Sequence, residues 1–444
     1  MRRFCRNNAA NLHKAMFIHE RENWTQFRWN ESKVSLLLET ASRKQGLLYG
    51  RLSDLGFDAK LKAMAENLTM DVVHSSEIEG VKLNIEEVRS SIAVKLGIEN
   101  VKFTAPSHYV DSVVAVMLDA INNYNLPLTK ERLCAWQSAF FPHGLSDGSA
   151  IEVGCYRTHD EHIVSGMFGR ERIHYVAPSP DRVDAEMGKF IEWFNTEMSI
   201  SSVLSSAIAH LWFVSIHPFE DGNGRMARIL SDMMLARGDG SEFRFYNISA
   251  QINRNKNRYY SVLEATQRGD GDITGWLVWY VNTLIASLDD AYSVVGTVLN
   301  KSLFWKAHSE MIFSERQTSI LNLFLDGYEA KITSKNWASL AKCSTDTANR
   351  DIQDLLEKNV LKIDVAGAKR PSYSIVYNPE DMRALFANVE VAQERDGHFY
   401  LTGVFKGTTE VHERLLQLDA TRLQKGDISM NSILSKYCSY LLLR

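Results

Sequence analysis

The stretch HPFEDGNGRMAR, His217 to Arg228, sets a histidine, an aspartate, a Gly-Asn-Gly turn and two arginines side by side. A packed core has no use for that string, whereas an anion does. A helix N-terminus exposes unpaired backbone N–H groups and a partial positive charge. A glycine-rich turn leading into it lets a phosphate approach the backbone. Gly222 and Gly224 supply that access, and Asn223 between them has an amide to point at a phosphate oxygen. Arg225 and Arg228 are one turn apart, which predicts both guanidiniums on one helix face. Asp221 suits Mg2+, a cation that usually takes one or two carboxylates plus phosphate oxygens. His217 titrates near neutrality and is the natural general base. The chemistry these residue types fit is nucleotidyl transfer. A hydroxyl loses its proton to His217 and attacks the α-phosphate of a nucleoside triphosphate, and pyrophosphate leaves.

Other readings of the same residues compete. The string can be a surface loop with a capping histidine. No G-x-x-x-x-G-K-[ST] occurs, which excludes a P-loop. DGNGRM begins like a calcium loop, but its glycine is misplaced. GLSDG, Gly144–Gly148, matches the nucleophile-elbow pattern without the apolar strand that should precede it. His210 and His217, with Asp221, could form a metal-hydrolase site, although His210 sits in an apolar helix and reads as a core histidine. HDEH, His159–His162, reads as a solvated loop.

The elements that must position these residues can be read from periodicity. SSVLSSAIAHLWFVSI is almost wholly apolar, which predicts a buried helix ended by Pro218. A second helix begins near Gly224–Arg225 and runs to Gly238. Leu61, Ala65, Leu68, Val72, Ser75 and Glu79 recur at spacings of three and four, one face of a helix that Gly80 can end. EHIVSG and RIHYVAP predict a β-hairpin. Residues 296–315 read as a connecting helix. In 316–377, three helical segments precede a strand, a glycine turn and a strand, the order of a winged helix. Its third helix has Ser344 or Thr345 as N-cap. That helix carries a mixed set, Asp346, Arg350, Asp351, Asp354, Glu357 and Lys358, where a DNA reader normally shows a more basic face. Lys369 and Arg370 in the wing are candidate phosphate contacts. No internal repeat is found.

Composition bounds the rest. A chain of 444 residues predicts two or three domains. The net charge of -4 argues against strong charge-driven attachment to nucleic acid or membrane. Five scattered cysteines with no Cys-x-x-Cys read as reduced thiols in a cytoplasmic protein. No apolar run reaches membrane-spanning length. The basic beginning, 1–15, lacks the apolar region of a signal peptide and reads as a disordered leader, with Met16 as a second start.

HPFEDGNGRMAR resembles the signature of Fic-domain proteins, H-P-F-x-[DE]-G-N-G-R-x-x-R, at every fixed position. VGCYR, Val153–Arg157, resembles the family's Gly-x-Tyr-Arg segment. The hairpin near RIHYVAPSP resembles its flap, which pairs with an extended segment of a target protein. NRYYSVLEATQRGD resembles the helix that closes the nucleotide pocket. The resemblance covers about 70–290 and implies AMP transfer from Mg2+-ATP to a Thr, Tyr or Ser hydroxyl of a target protein. It implies His217 as base, Asp221 as Mg2+ ligand, and Gly222, Asn223 and Gly224 as anion hole. Arg225 and Arg228 are then phosphate partners, and Tyr260 and Gln267 line the adenine pocket, with helix packing as their other reading. SSEIEG, Ser75–Gly80, resembles the family's inhibitory motif [ST]-x-x-x-E-[GN], which implies Glu79 paired with Arg228 against the γ-phosphate. In some relatives the equivalent glutamate also serves removal of AMP.

The expected fold is mostly α: a Fic-type helical core with a β-hairpin flap, an N-terminal helical region and a C-terminal winged-helix module. The expected divisions are the leader 1–15, the N-terminal helical region with its inhibitory helix 16–104, the core 105–290, the connecting helix 291–315, the winged helix 316–377, and an extension of unknown role, 378–444. No membrane contact is expected, and the sequence leaves the oligomeric state open, a homodimer being one alternative. The alternative function is a DNA-binding regulator whose core acts as a nucleotide sensor.

Overall fold

In the computed structural model the described residues are 17–53, 57–98, 103–146, 148–166, 170–197, 199–242, 244–326, 328, 330–365, 371–376, 386–395, 398–405 and 411–416. Among them are fourteen α-helices and four small sheets, so the protein is mostly helical. The expected leader, 1–15, and the Met16 start lie outside the described residues, as do Lys369 and Arg370. No helix of the described residues is long and apolar enough to cross a membrane.

The described residues fall into two compact units, those within 1–48 and 52–291, and those within 49–51 and 292–444. The first begins with α1 (Glu31–Ser53), α2 (Phe57–Ile78), α3 (Ile85–Lys95), α4 (His108–Asn122) and α5 (Lys130–Phe140). Two short hairpins follow, β1 (Leu145–Ser146) with β2 (Ser149–Ala150), and β3 (His162–Ser165) with β4 (Arg172–Val176). Then come α6 (Pro180–Thr196), α7 (Ser202–Ile216), α8 (Asn223–Asp239), α9 (Ile248–Arg254), α10 (Lys256–Gln267) and α11 (Thr274–Ala307). The core runs along α7, buried from Val203 to Ile216, which packs on α8 and α6. Ser201 caps α7 by accepting from Leu204 N, and the apolar sequence needs no polar face because neighbours surround it.

The aromatic stretch ahead of α1 packs on the second hairpin. Phe17 meets Tyr175 edge-on at 5.2 Å, and His19 Nδ1 bonds the Tyr175 hydroxyl at 3.0 Å. Tyr175 in turn donates to the Ser215 carbonyl of α7 at 2.8 Å.

The expected boundary at 290/291 falls inside α11, which runs unbroken for 34 residues. No proline interrupts it, so the chain passes from core to connector without a local signal.

The second unit contains α12 (Glu315–Leu325), α13 (Ser334–Leu340), α14 (Thr345–Glu357) and the hairpin of β5 (Leu361–Ile363) with β6 (Tyr373–Ile375). Trp337, Ile352, Leu355 and Leu361 close its core. Ser344, not Thr345, is the N-cap of α14, accepting from Thr347 N. The mixed charges of α14 sort by side. Asp351 is buried, takes both bonds of the Arg316 fork at 2.6 and 2.7 Å, and accepts from Trp337 Nε1. Asp354 is held by Gln317 and Lys358. Asp346, Asn349, Arg350, Gln353 and Glu357 face solvent. Within 378–444, where the sequence offers no clear pattern, β7 (Phe386–Arg395), β8 (His398–Phe405) and β9 (Val411–Leu416) form an antiparallel meander.

Candidate active site

His217 is the residue just past α7, and its backbone is left-handed, φ 53°. A non-glycine residue rarely adopts that conformation, and here it turns the chain out of the helix immediately before Pro218. Its ring Nδ1 lies 3.2 Å from the Val214 carbonyl. A carbonyl only accepts, so Nδ1 carries the proton and Nε2 keeps a lone pair. Burial lowers the pKa of the ring to about 4, and the Arg157 charge pushes the same way, against the Val214 bond, Asp221 and Glu79. One edge of the ring still reaches a pocket that it lines with Glu79, Asp221, Gly224, Tyr260 and Gln267. His217 is therefore a neutral, proton-accepting imidazole at pH 7.

The turn into α8 follows. Gly222 has φ 91°, and a Cβ there would press on the Phe141 ring. The Asp221 carboxylate accepts from Gly222 N at 2.7 Å and from the Ser146 hydroxyl. Ser146 is thus tied to an acid in a two-residue hairpin and has no nucleophile-elbow geometry. Asn223 differs from expectation. Its side chain is buried, accepts from Phe219 N at 3.0 Å and donates to Phe219 O at 2.7 Å. The amide that was to meet a phosphate instead pins the loop, and only the backbone N–H of Asn223 sits at the helix start.

Arg225 also departs from expectation. Its guanidinium donates to the Tyr109 hydroxyl at 2.7 Å and stacks on Phe140 and Phe141, 4.7 and 5.0 Å from the ring centres. Arg228 points elsewhere, into α2. Residues three apart on a helix differ by about 60° in direction, and here Phe140 and Phe141 at the end of α5 capture the first arginine while Ser75 and Glu79 at the end of α2 capture the second.

Arg228 is buried and donates from Nε to Ser75 Oγ, and from Nη2 to Ser75 O and Glu79 Oε1, all at 2.9 Å. α2 ends at Ile78, so Glu79 lies on the turn that Gly80 (φ 84°) completes. The Glu79 carboxylate lies directly over Gly224, where a Cβ would collide with Oε1. Gly224 thus leaves room at the start of α8 for one anion, and the carboxylate stands there.

Tyr260 and Gln267, both on α10, line the same pocket. Tyr260 donates to Ile78 O at 3.4 Å, and buried Gln267 donates to Ser215 Oγ at 3.2 Å. Three features escaped the sequence reading. Glu161 and His162 of the supposed solvated loop line the pocket. Glu264 of α10 bonds His174 Nδ1 at 2.6 Å and Arg172 at 2.8 Å, tying β4 to α10. Tyr259 bonds His210 Nε2 at 2.9 Å, while Ser231 takes Nδ1 at 3.2 Å. His210, its pKa lowered to about 3 by burial, is thereby a core histidine remote from any metal-hydrolase role.

Residues 127–235 match the Fic/DOC family, and residues 17–98 match a domain of unknown function, DUF4172. A protein adenylyltransferase Fic of Culex quinquefasciatus is 25% identical over 221 residues, which are 48% of this chain and 40% of that protein. Its counterpart in Drosophila yakuba is 33% identical over 117 residues, 25% of this chain and 22% of the relative. This chain therefore spans less than half the length of these curated relatives. Among solved structures, a Fic family protein from Desulfovibrio desulfuricans aligns over 77% of this chain and 96% of its own, with 19% identity and a TM-score of 0.46. Fic-1 from C. elegans aligns over 59% and 74%, with 20% identity and a TM-score of 0.43. The chain thus carries a Fic/DOC region, 127–235, preceded by a DUF4172 region, 17–98, and is distantly similar to proteins named protein adenylyltransferase Fic.

Proposed function

We propose that the protein is an autoinhibited protein adenylyltransferase that moves AMP from Mg2+-ATP to a Thr, Tyr or Ser hydroxyl of a target protein. The observation that carries this reading is the pocket in which neutral His217, Asp221 and the start of α8 meet the Glu79–Arg228 pair. His217 Nε2 takes the proton of the acceptor hydroxyl. The oxygen forms a bond to the α-phosphorus as the bond to the pyrophosphate oxygen breaks, and pyrophosphate departs. Backbone N–H groups at Asn223 and Gly224, at the start of α8, stabilise the charge that develops on the α-phosphate. The Asp221 carboxylate, half-buried in the pocket wall, offers hard oxygen donors of the kind Mg2+ takes. The ion, when bound, supplies charge neutralisation on the phosphates. Tyr260 and Gln267 border the space for the base.

Arg228 is the candidate γ-phosphate partner, and Glu79 competes for its guanidinium. Removing one partner of a buried ion pair is costly, so the pair is a stable off state. The same carboxylate, in the pocket, is available to serve removal of AMP. The DNA-binding alternative has less support, because the outward face of α14 carries Asp346 and Glu357 beside Arg350.

Incubation with ATP labelled at the α-phosphate, read by intact mass, tests the reading. Wild type should self-modify weakly and Glu79→Gly strongly, with EDTA abolishing both. An activity indifferent to EDTA contradicts the Mg2+-ATP assignment.

A further inference from the structure

Arg157 is buried to 2% exposure and has no place in the chemistry above. Its guanidinium holds four backbone carbonyls. Nε donates to His217 O at 2.8 Å, Nη1 to His159 O at 2.8 Å, and Nη2 to Pro178 O at 2.5 Å and Ile216 O at 3.5 Å. Its own backbone N–H donates to Pro218 O at 2.9 Å. His159 precedes β3 and Pro178 follows β4, so one side chain joins both ends of the hairpin to the left-handed residue that carries the base.

That convergence has a physical purpose. A left-handed histidine persists only where its surroundings over-determine it. Two bonds from Arg157, to the carbonyls of His217 and Pro218, fix the two peptides that follow the left-handed residue, and the longer bond to Ile216 O reaches the peptide before it. Arginine's planar fork reaches several carbonyls at once, which a lysine ammonium on a flexible stem does not reproduce. A further backbone tie, Ala177 N to Glu161 O at 3.0 Å, joins the hairpin ends to each other but does not reach His217.

From this we infer that Arg157 is a positioning residue that locks the β3–β4 hairpin and His217 into one rigid unit, so that an acceptor chain docked on the hairpin is presented in register with the base. The inference rests on the proposed transfer reaction for its kinetic consequence, but the mechanical lock stands apart from it. Misplacement of reacting groups by about 1 Å costs on the order of a hundredfold in rate. Loosening the lock should therefore slow transfer without touching nucleotide binding, because neither α8 nor α10 contacts Arg157 through these bonds.

The test uses the full chain carrying Arg157→Lys, alone and with Glu79→Gly, with Arg157→Gln as a second variant. Backbone hydrogen exchange is followed at 159–165, 172–178 and 216–218, beside Mg2+-ATP affinity, melting temperature and self-modification rate. Expected are exchange faster by about tenfold or more in those three segments together, ATP affinity within about twofold, and self-modification in the Glu79→Gly background slower by roughly ten- to a hundredfold. Unchanged exchange in the three segments overturns the inference. So does a uniform rise across the unit with a matching loss of melting temperature, since that is a purely structural role. If neither variant folds, wild-type exchange decides: the three segments must open with one common free energy, and independent opening contradicts the lock. If Glu79→Gly transfers no AMP at all, the proposed reaction fails while the exchange result still judges Arg157.

Discussion

The pocket and the outer face of α14 are built from the same residue types and differ in what surrounds them. Beside the pocket, Arg228 and Asn223 are buried and bonded to directed partners, and His217 spends Nδ1 on the Val214 carbonyl while Nε2 keeps its lone pair. On α14, Asn349, Arg350 and Gln353 stand in water beside Asp346 and Glu357, and the acid that is buried, Asp351, closes a structural ion pair. Polar groups withdrawn from water cost free energy unless matched, so a buried set gathered beside one cavity is where chemistry is to be sought, whereas an exposed mixed set is a solvated face. The difference also shows how far charge counts mislead. Half of the acidity of α14 serves the fold of its own unit.

The largest effect expected on the pocket side is loss of the base. His217→Ala should cost about a hundred- to ten-thousandfold in AMP transfer, with ATP affinity nearly intact. Near-wild-type transfer would remove His217 from the mechanism. Arg350→Ala, the matched change on α14, should leave transfer unchanged.

A second test sharpens the contrast through stability. Asp351→Ala strands the Trp337 N–H and should destabilise the second unit by about 1–3 kcal/mol, read as a lower melting transition, with transfer by the first unit retained. Loss of transfer at full folding of the first unit would mean the division between the two regions is wrong.

The pH profile is a third. The folded pKa of His217 is lowered to about 4 from an unfolded value near 6.5. Its neutral form is present above 6.5 in both states, and the stability cost of keeping it neutral appears as pH falls from 6.5 towards 4. The acid limb of kcat/KM should accordingly lie nearer 4 than 6.5. A limb at 6.5 would mean that the ring is solvated and the pocket is not the dry site described.

The smallest effect is expected at Ser75. Ser75→Ala removes one of three bonds to Arg228 and leaves the Glu79 contact. Self-modification should rise a few-fold at most, well below the effect of Glu79→Gly.

Much of this was legible in the sequence where the signal is local. The apolar run of α7 ended by Pro218, the glycine turn and the Ser75–Glu79 spacing all act within a few residues. Directions of side chains were not legible, because distant neighbours decide them. Arg225 turns to Tyr109, 116 positions away, and its three-residue spacing from Arg228 says nothing of that. Asn223 spends its amide on Phe219, a bond that any exposed-loop reading omits. The His174–Glu264 tie joins residues 90 apart with no shared motif. Arg228 and Glu79 are 149 apart, and their pairing was expected only through a family resemblance. The helix α11 shows the same limit in reverse, since a division between units can fall where local sequence is uniform.

The central claim is that Glu79 and a γ-phosphate compete for Arg228. The most direct measurement is Mg2+-ATP affinity and self-modification, side by side, for wild type, Glu79→Gly and the double variant Glu79→Gly/Arg228→Ala. A bond between charged partners contributes about 1.5–3 kcal/mol, so Glu79→Gly should raise transfer by roughly ten- to a hundredfold and tighten ATP, and the double variant should lose both gains. No gain in Glu79→Gly, or a gain that survives loss of Arg228, would contradict the account.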